Sequence, residues 1–232
     1  MLYGIDPMYW MMIAPAMVLS IIATIMTKTT FSKYSKVAAA SRMTGAQAAT
    51  ALLIAQGIKD VEIEEVGGFL SDHYDPMSRK LRLSPEVYRS QSLSAIGVAC
   101  HEAGHAIQHA GHYAPLMLRS TLVPVANIGT FAPYVLIPLG IIMNSLALIK
   151  LAIVLFGVVV VFYLVTLPVE WNASARAKRL MVTAGIVSQN EADDAGKVLN
   201  AAFLTYMAAA ITALLQFLYY LMKLGLLGGR RD

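Results

Sequence analysis

Residues 100–112 read CHEAGHAIQHAGH and hold four of the chain's five histidines and its single cysteine. Within them His101, Glu102 and His105 form an H-E-x-x-H motif. Two imidazoles four residues apart on a helix share one face, so both can reach one ion. Glu102, one step along, can lean over a coordination position left open and take a proton from water there. The chemistry implied is zinc-assisted hydrolysis, because a catalytic zinc takes three protein ligands and keeps one exchangeable position.

The third ligand has to be found. The metzincin extension would place a glycine three residues and a histidine six residues after His105, but Gln108 and Gly111 stand there. His109 lies eight residues after His101, about 80° around a helix. It could line the site, although two turns separate it from the first ligand. His112 falls beyond a stop glycine. Elimination points to Glu170: no acidic residue lies between Glu102 and Glu170, and none follows until Glu191. A carboxylate completing a His₂Glu site is established zinc chemistry. The plainer alternative is a polar residue at a helix end, offset by Arg176 or Arg179.

Other residues carry two readings each. His73 and Tyr74, in SDHYDP, could hydrogen-bond an oxyanion developing on a substrate carbonyl, or they could brace a turn. VEIEEV (61–66) alternates with period two and reads as a strand, either an open edge for an extended peptide or an internal strand. Cys100 points about 100° away from His101 on a helix and reads as a small buried side chain. A lone cysteine forms no internal disulfide.

The elements that must position these groups are mostly apolar. The 232 residues are 57% apolar and 14% charged, with a mean hydropathy of +0.61. Soluble domains average about 25% charged residues, so lipid must cover much of this surface. Four runs can span a bilayer, which takes about 20 residues. They are Met8–Met26, two within Thr121–Pro168 around a hairpin tip at 144–150, and a last one from about Leu199 to Met222. No Lys or Arg precedes Lys28, so the first run reads as an uncleaved anchor. Segments 28–119 and 170–198 hold fourteen of the eighteen Lys and Arg residues, which assigns them to the cytoplasmic side. The net charge of +4 comes with no compact basic cluster or stacking aromatics, so membrane topology explains it and nucleic acid is not implied.

Between the anchor and the hairpin lies a small folded unit. Thr44 and Gln47 have capping-box spacing before AQAATALLIAQ, which stops at Gly57. FLSDHYDPMSRKLRL reads as two strands around a turn at Asp75-Pro76. From about Ser92 the pattern is helical up to Gly111. Ser188 and Glu191 repeat the capping-box spacing ahead of the last apolar helix.

HEAGHAIQ, GGFLSDHYDP, RLSPEVY and PVEWNASARA together resemble the YugP-type neutral zinc metallopeptidases of prokaryotic membranes, over nearly the whole chain. The arrangement is also similar to HtpX-like membrane zincins. The resemblance implies a zinc endopeptidase with His101, His105 and Glu170 as ligands and Glu102 as catalytic acid and base. Where that family commonly has Asp, this chain has Asn172. Asn172 and Ser174, the latter on the same helical face as Glu170, could orient a ligand histidine or simply pack helices.

The expected fold is an α-helical membrane protein with about four transmembrane helices and a small α+β zincin-like domain. Its parts are an anchor at 1–27, the zincin-like domain at 28–119, a transmembrane hairpin at 120–169, a third-ligand segment at 170–198 and a C-terminal helix and tail at 199–232. The expected cofactor is Zn2+, and the expected partners are a protein or peptide substrate, membrane proteins included, and the lipid bilayer. The competing functional class is a membrane scaffold or adaptor with a structural zinc. A zinc transporter is weaker, because the crossings hold no ionisable residue apart from the boundary Glu170 and the hairpin Lys150.

Overall fold

The computed structural model describes residues 6–68 and 71–225. Phe69 and Leu70, ahead of the SDHYDP stretch, and the basic tail with Arg230 and Arg231 lie outside the described residues.

Four helices are long and apolar enough to cross a membrane: α1 (Pro7–Tyr34), α5 (Ala114–Ile142), α6 (Leu146–Thr183) and α7 (Gln189–Lys223). Three shorter helices, α2 (Gly45–Ala55), α3 (Pro85–Tyr88) and α4 (Leu93–Ala110), accompany strands β1 (Glu62–Glu65), β2 (His73–Asp75) and β3 (Lys80–Leu83). The turn between α5 and α6 is tighter than the expected 144–150 tip. It occupies only residues 143–145, and Lys150 already lies inside α6. Asn144 reverses the chain by adopting φ +50°, a left-handed conformation that asparagine tolerates. Gly140 permits the close start of α6, since a Cβ there would lie 2.7 Å from Ile149 Cγ1. Helix α6 also continues unbroken through Pro168 and Glu170 for 38 residues, so Glu170 is an interior helical position, not a helix end.

Two compact units divide the described chain, and each of the four long helices contributes to both. One comprises residues 6–22, 118–167 and 205–225. Its apolar packing includes Ile137, Phe156, Val159 and Tyr220. At one end of it Asp6 accepts a hydrogen bond from Tyr219 Oη at 2.8 Å and pairs with Lys223.

The other unit holds residues 23–117 and 168–204 and contains the motif. Its sheet has the order β1-β3-β2, with β1 parallel and β2 antiparallel to β3, so VEIEEV forms an edge strand. Helix α2 starts at a complete capping box: Thr44 Oγ1 accepts from Gln47 N–H, and Gln47 Oε1 accepts from Thr44 N–H. Gly57 ends it at φ +74°, where other residues are strained. Ser188 and Glu191 close the same reciprocal pair at the start of α7, ten residues earlier than the apolar run alone suggests. Leu52, Leu81, Leu83, Ile96, Met181 and Ile186 are fully buried in one core that joins α2, the sheet, α4 and the end of α6. Cys100 belongs to that core, and burial pushes its thiol up to about 12.

Candidate metal centre

Helix α4 begins at Ser92, whose hydroxyl accepts from Ala95 N–H, and ends at Gly111. Its eighteen residues carry His101 and His105 on one face. The rings meet edge to face, with centroids 4.8 Å apart. Glu170 reaches them from α6: its Oε2 lies 3.1 Å from His101 Nε2 and 3.6 Å from His105 Nε2. One potential ligand atom from each of the three residues falls within 4.8 Å of the others. Ligands about 2.0–2.1 Å from a tetrahedral zinc stand roughly 3.4 Å apart, so the cluster fits zinc after a small contraction. Among the described residues this is the one group of His, Cys, Asp and Glu close enough to hold a metal.

The contact between α4 and α6 depends on a motif residue that carries no chemistry. A Cβ on Gly104 would lie 2.8 Å from the carbonyl oxygen of Ala173. Only glycine lets the histidine helix approach α6 this closely, and Ala173 lies one turn past Glu170.

Both histidines point Nε2 at Glu170 and are held from behind through Nδ1. Ser174 Oγ lies 3.1 Å from His101 Nδ1, and Gln108 Oε1 lies 3.0 Å from His105 Nδ1. Gln108 Oε1 accepts from His105 Nδ1, and with Nε2 bound to a metal His101 Nδ1 would likewise donate to Ser174 Oγ. Gln108 is fully buried and donates its amide to Val169 O at 2.8 Å and to Asn172 Oδ1 at 3.0 Å. Arg176 Nε donates to the same Asn172 oxygen at 2.7 Å. Asn172 therefore hydrogen-bonds neither motif histidine; it reaches His105 through Gln108. Arg176 serves Asn172 through this bond. Burial opposes a charge on His105, but the hydrogen bond and charge of Glu170 outweigh it, so the pKa of His105 is raised.

Glu102 stands outside the ligand cluster. Its Oε2 accepts from the backbone N–H of Tyr74 at 3.1 Å. That N–H points away from β3, as expected for a position between the hydrogen-bonded pairs of an antiparallel ladder. The Tyr74 hydroxyl meets His109 Nδ1 at 2.9 Å, so His109 bonds Tyr74 and is not in the metal cluster. His73, the neighbouring residue on β2, faces the other way. Its Nδ1 donates to Ser71 O at 2.8 Å, and its exposed ring lies beside Arg82. Of the pair in SDHYDP, only Tyr74 is beside the motif helix.

Gln108 and Gly104 were invisible as site residues in the sequence. A polar residue three positions after His105 was the available signal for Gln108, and the partner that explains it lies 64 residues away.

Comparison with known proteins identifies the family of the chain. The family model described as "Putative neutral zinc metallopeptidase" matches residues 9–225. The chain is 47% identical over 207 residues to "Putative membrane protease YugP" of Bacillus subtilis (strain 168), covering 89% of this chain and 92% of that one. No solved structure matches the chain.

Proposed function

Because the chain belongs to the neutral zinc metallopeptidase family, we propose that it is a membrane-embedded zinc-dependent endopeptidase. The observation that carries this reading is the arrangement of three ligands with a separate carboxylate beside them. Structural zinc sites are closed by four protein ligands, whereas three leave a position for chemistry. His101, His105 and Glu170 would hold the ion. Zinc bound there would polarise the substrate carbonyl and lower the pKa of water toward about 7.

Glu102 is the general base and acid. Tyr74 N–H fixes one carboxylate oxygen, and the other takes a proton from the attacking water. The water oxygen bonds to the carbonyl carbon, the C–N bond breaks, and Glu102 delivers the proton to the departing amine nitrogen. Ser174 and Gln108 keep both Nε2 atoms turned toward Glu170. The basic residues of 28–119 and 170–198 support a cytoplasmic position for this unit.

The test is hydrolysis of an unfolded polypeptide by the detergent-solubilised chain, with zinc content measured alongside. Glu102→Gln keeps zinc and loses about 10²–10⁴-fold in rate. Glu170→Ala loses zinc. Full zinc-dependent proteolysis by Glu102→Gln overturns the mechanism. A wild type that binds zinc and cleaves nothing favours the scaffold reading.

A further inference from the structure

Among the described residues, strand β1 is paired on one side only, to β3. Glu62 and Val66 send their N–H groups to the carbonyls of Arg79 and Leu83. In a parallel ladder alternate residues face the neighbouring strand, so Ile63 and Glu65 present N–H and C=O outward. Neither N–H has a partner among the described residues. Beside this edge runs a groove of about 510 Å³ between β1 and α2, lined by Leu53, Ile54, Ile58, Val61, Ile63 and Tyr88 among others. Ile54, one of its lining residues, is 60% exposed. On the opposite face of β1, Glu62 and Glu64 alternate with the groove residues. Lys80 sits 2.7 Å from Glu64 and 3.3 Å from Glu62, and Arg82 Nε lies 2.6 Å from Glu64, so Glu62, with its side chain 67% exposed, is the carboxylate of this face left open to a ligand.

We propose that the free edge of β1 and the apolar groove beside it anchor an extended segment of polypeptide substrate, with aliphatic side chains at every second position and basic side chains between them. The unpaired main-chain groups of β1 call for another extended backbone. Successive side chains of an added strand point to opposite faces. One set enters the groove, and the other passes the exposed Glu62. A second copy of β1 is disfavoured, because antiparallel self-pairing sets Glu against Glu, and like charges directly opposite destabilise a sheet. At the other edge of the same sheet, β2 holds Glu102 through Tyr74. The anchor is therefore about 10 Å of sheet away from the strand that positions the base. Its role as a substrate anchor rests on the peptidase reading, whereas the binding itself is measured without cleavage.

The experiment uses the full chain in detergent, carrying Glu102→Gln and loaded with zinc. A fluorescein-labelled octapeptide of alternating Val and Lys is followed by anisotropy. Saturable binding is expected, about tenfold or more tighter than for an alternating Val and Glu peptide. Ile54→Asp and Glu65→Pro each weaken it by about tenfold or more. Glu65→Pro removes an N–H that faces outward, so the ladder with β3 is preserved. Zinc affinity reports whether each variant is folded, and Ile54→Asp at an exposed position decides the matter if the proline variant is not. A zinc-chelating hydroxamate leaves the peptide bound. The proposal is overturned by no saturable binding, by equal binding of the two peptides, by folded variants that bind normally, or by displacement with hydroxamate. Failure of the peptidase reading shows differently: the wild type does not cleave, while the peptide still binds at β1.

Discussion

Replacing Gly104 with alanine separates two opposed effects at the metal centre. In an exposed helix interior, Gly→Ala stabilises by about 1 kcal/mol through backbone entropy. Here the added Cβ would lie 2.8 Å from Ala173 O, about 0.6 Å inside the 3.4 Å at which ordinary contact begins. The obstructing atom is backbone, so a side-chain rotation cannot relieve it. Overpacking of this kind costs about 1–3 kcal/mol. The net effect on stability is therefore a loss of about 0–2 kcal/mol, opposite in sign to helix propensity. Parting α4 from α6 at Ala173 also stretches the contacts of Glu170 and Ser174 with the histidines, both already at 3.1 Å for His101. If the strain is relieved there, zinc affinity falls roughly 5–150-fold. Competition against a fluorescent chelator in detergent, beside thermal unfolding of the metal-free protein, measures both quantities. An alanine variant that melts higher and binds zinc as tightly as wild type would falsify the close-approach argument.

Three further outcomes follow from the same contacts. Gln108→Leu removes the acceptor that orients His105, and zinc affinity should drop about 10–100-fold with the fold retained, read by the same competition. Thr44→Ala breaks the α2 capping box and should cost about 1 kcal/mol in thermal or denaturant unfolding. The Asp75 carboxyl is held at about 2, against an ordinary 3.8, by the Ser78 hydroxyl, the Met77 N–H and Arg82. Its folded-state pKa is depressed, so its stabilisation is present above pH 3.8 and is lost as pH falls toward 2. Asp75→Asn should lower stability at pH 5 and narrow the gap to wild type on acidification, followed by melting at each pH.

The parts of the site legible in the sequence were those set by local periodicity. Four-residue spacing on a helix gave the histidine pair and Glu102, and scarcity of acidic residues over a long apolar stretch singled out Glu170. Both capping boxes were readable because their partners are three residues apart. What the sequence concealed depends on partners distant along the chain. Gly104 matters only because Ala173 passes it, and Gln108 only because Val169 and Asn172 receive its amide. The alternation of β2 says that His73 and Tyr74 face opposite ways, but not which of them meets α4. The sheet order β1-β3-β2, which exposes one edge and commits the other to Glu102, leaves no local trace either.

Glu170 lies 69 residues after His101. A ribosome adding about 5–20 residues per second needs roughly 3–14 s to make that stretch. Throughout that interval a nascent chain owns the paired imidazoles but lacks the carboxylate, and it gains the carboxylate only after α5 and the apolar stretch of α6 that precedes Glu170 have been synthesised. Completion of the candidate metal cluster is thereby tied to biogenesis: a chain truncated in the hairpin holds two of its three residues and lacks the third.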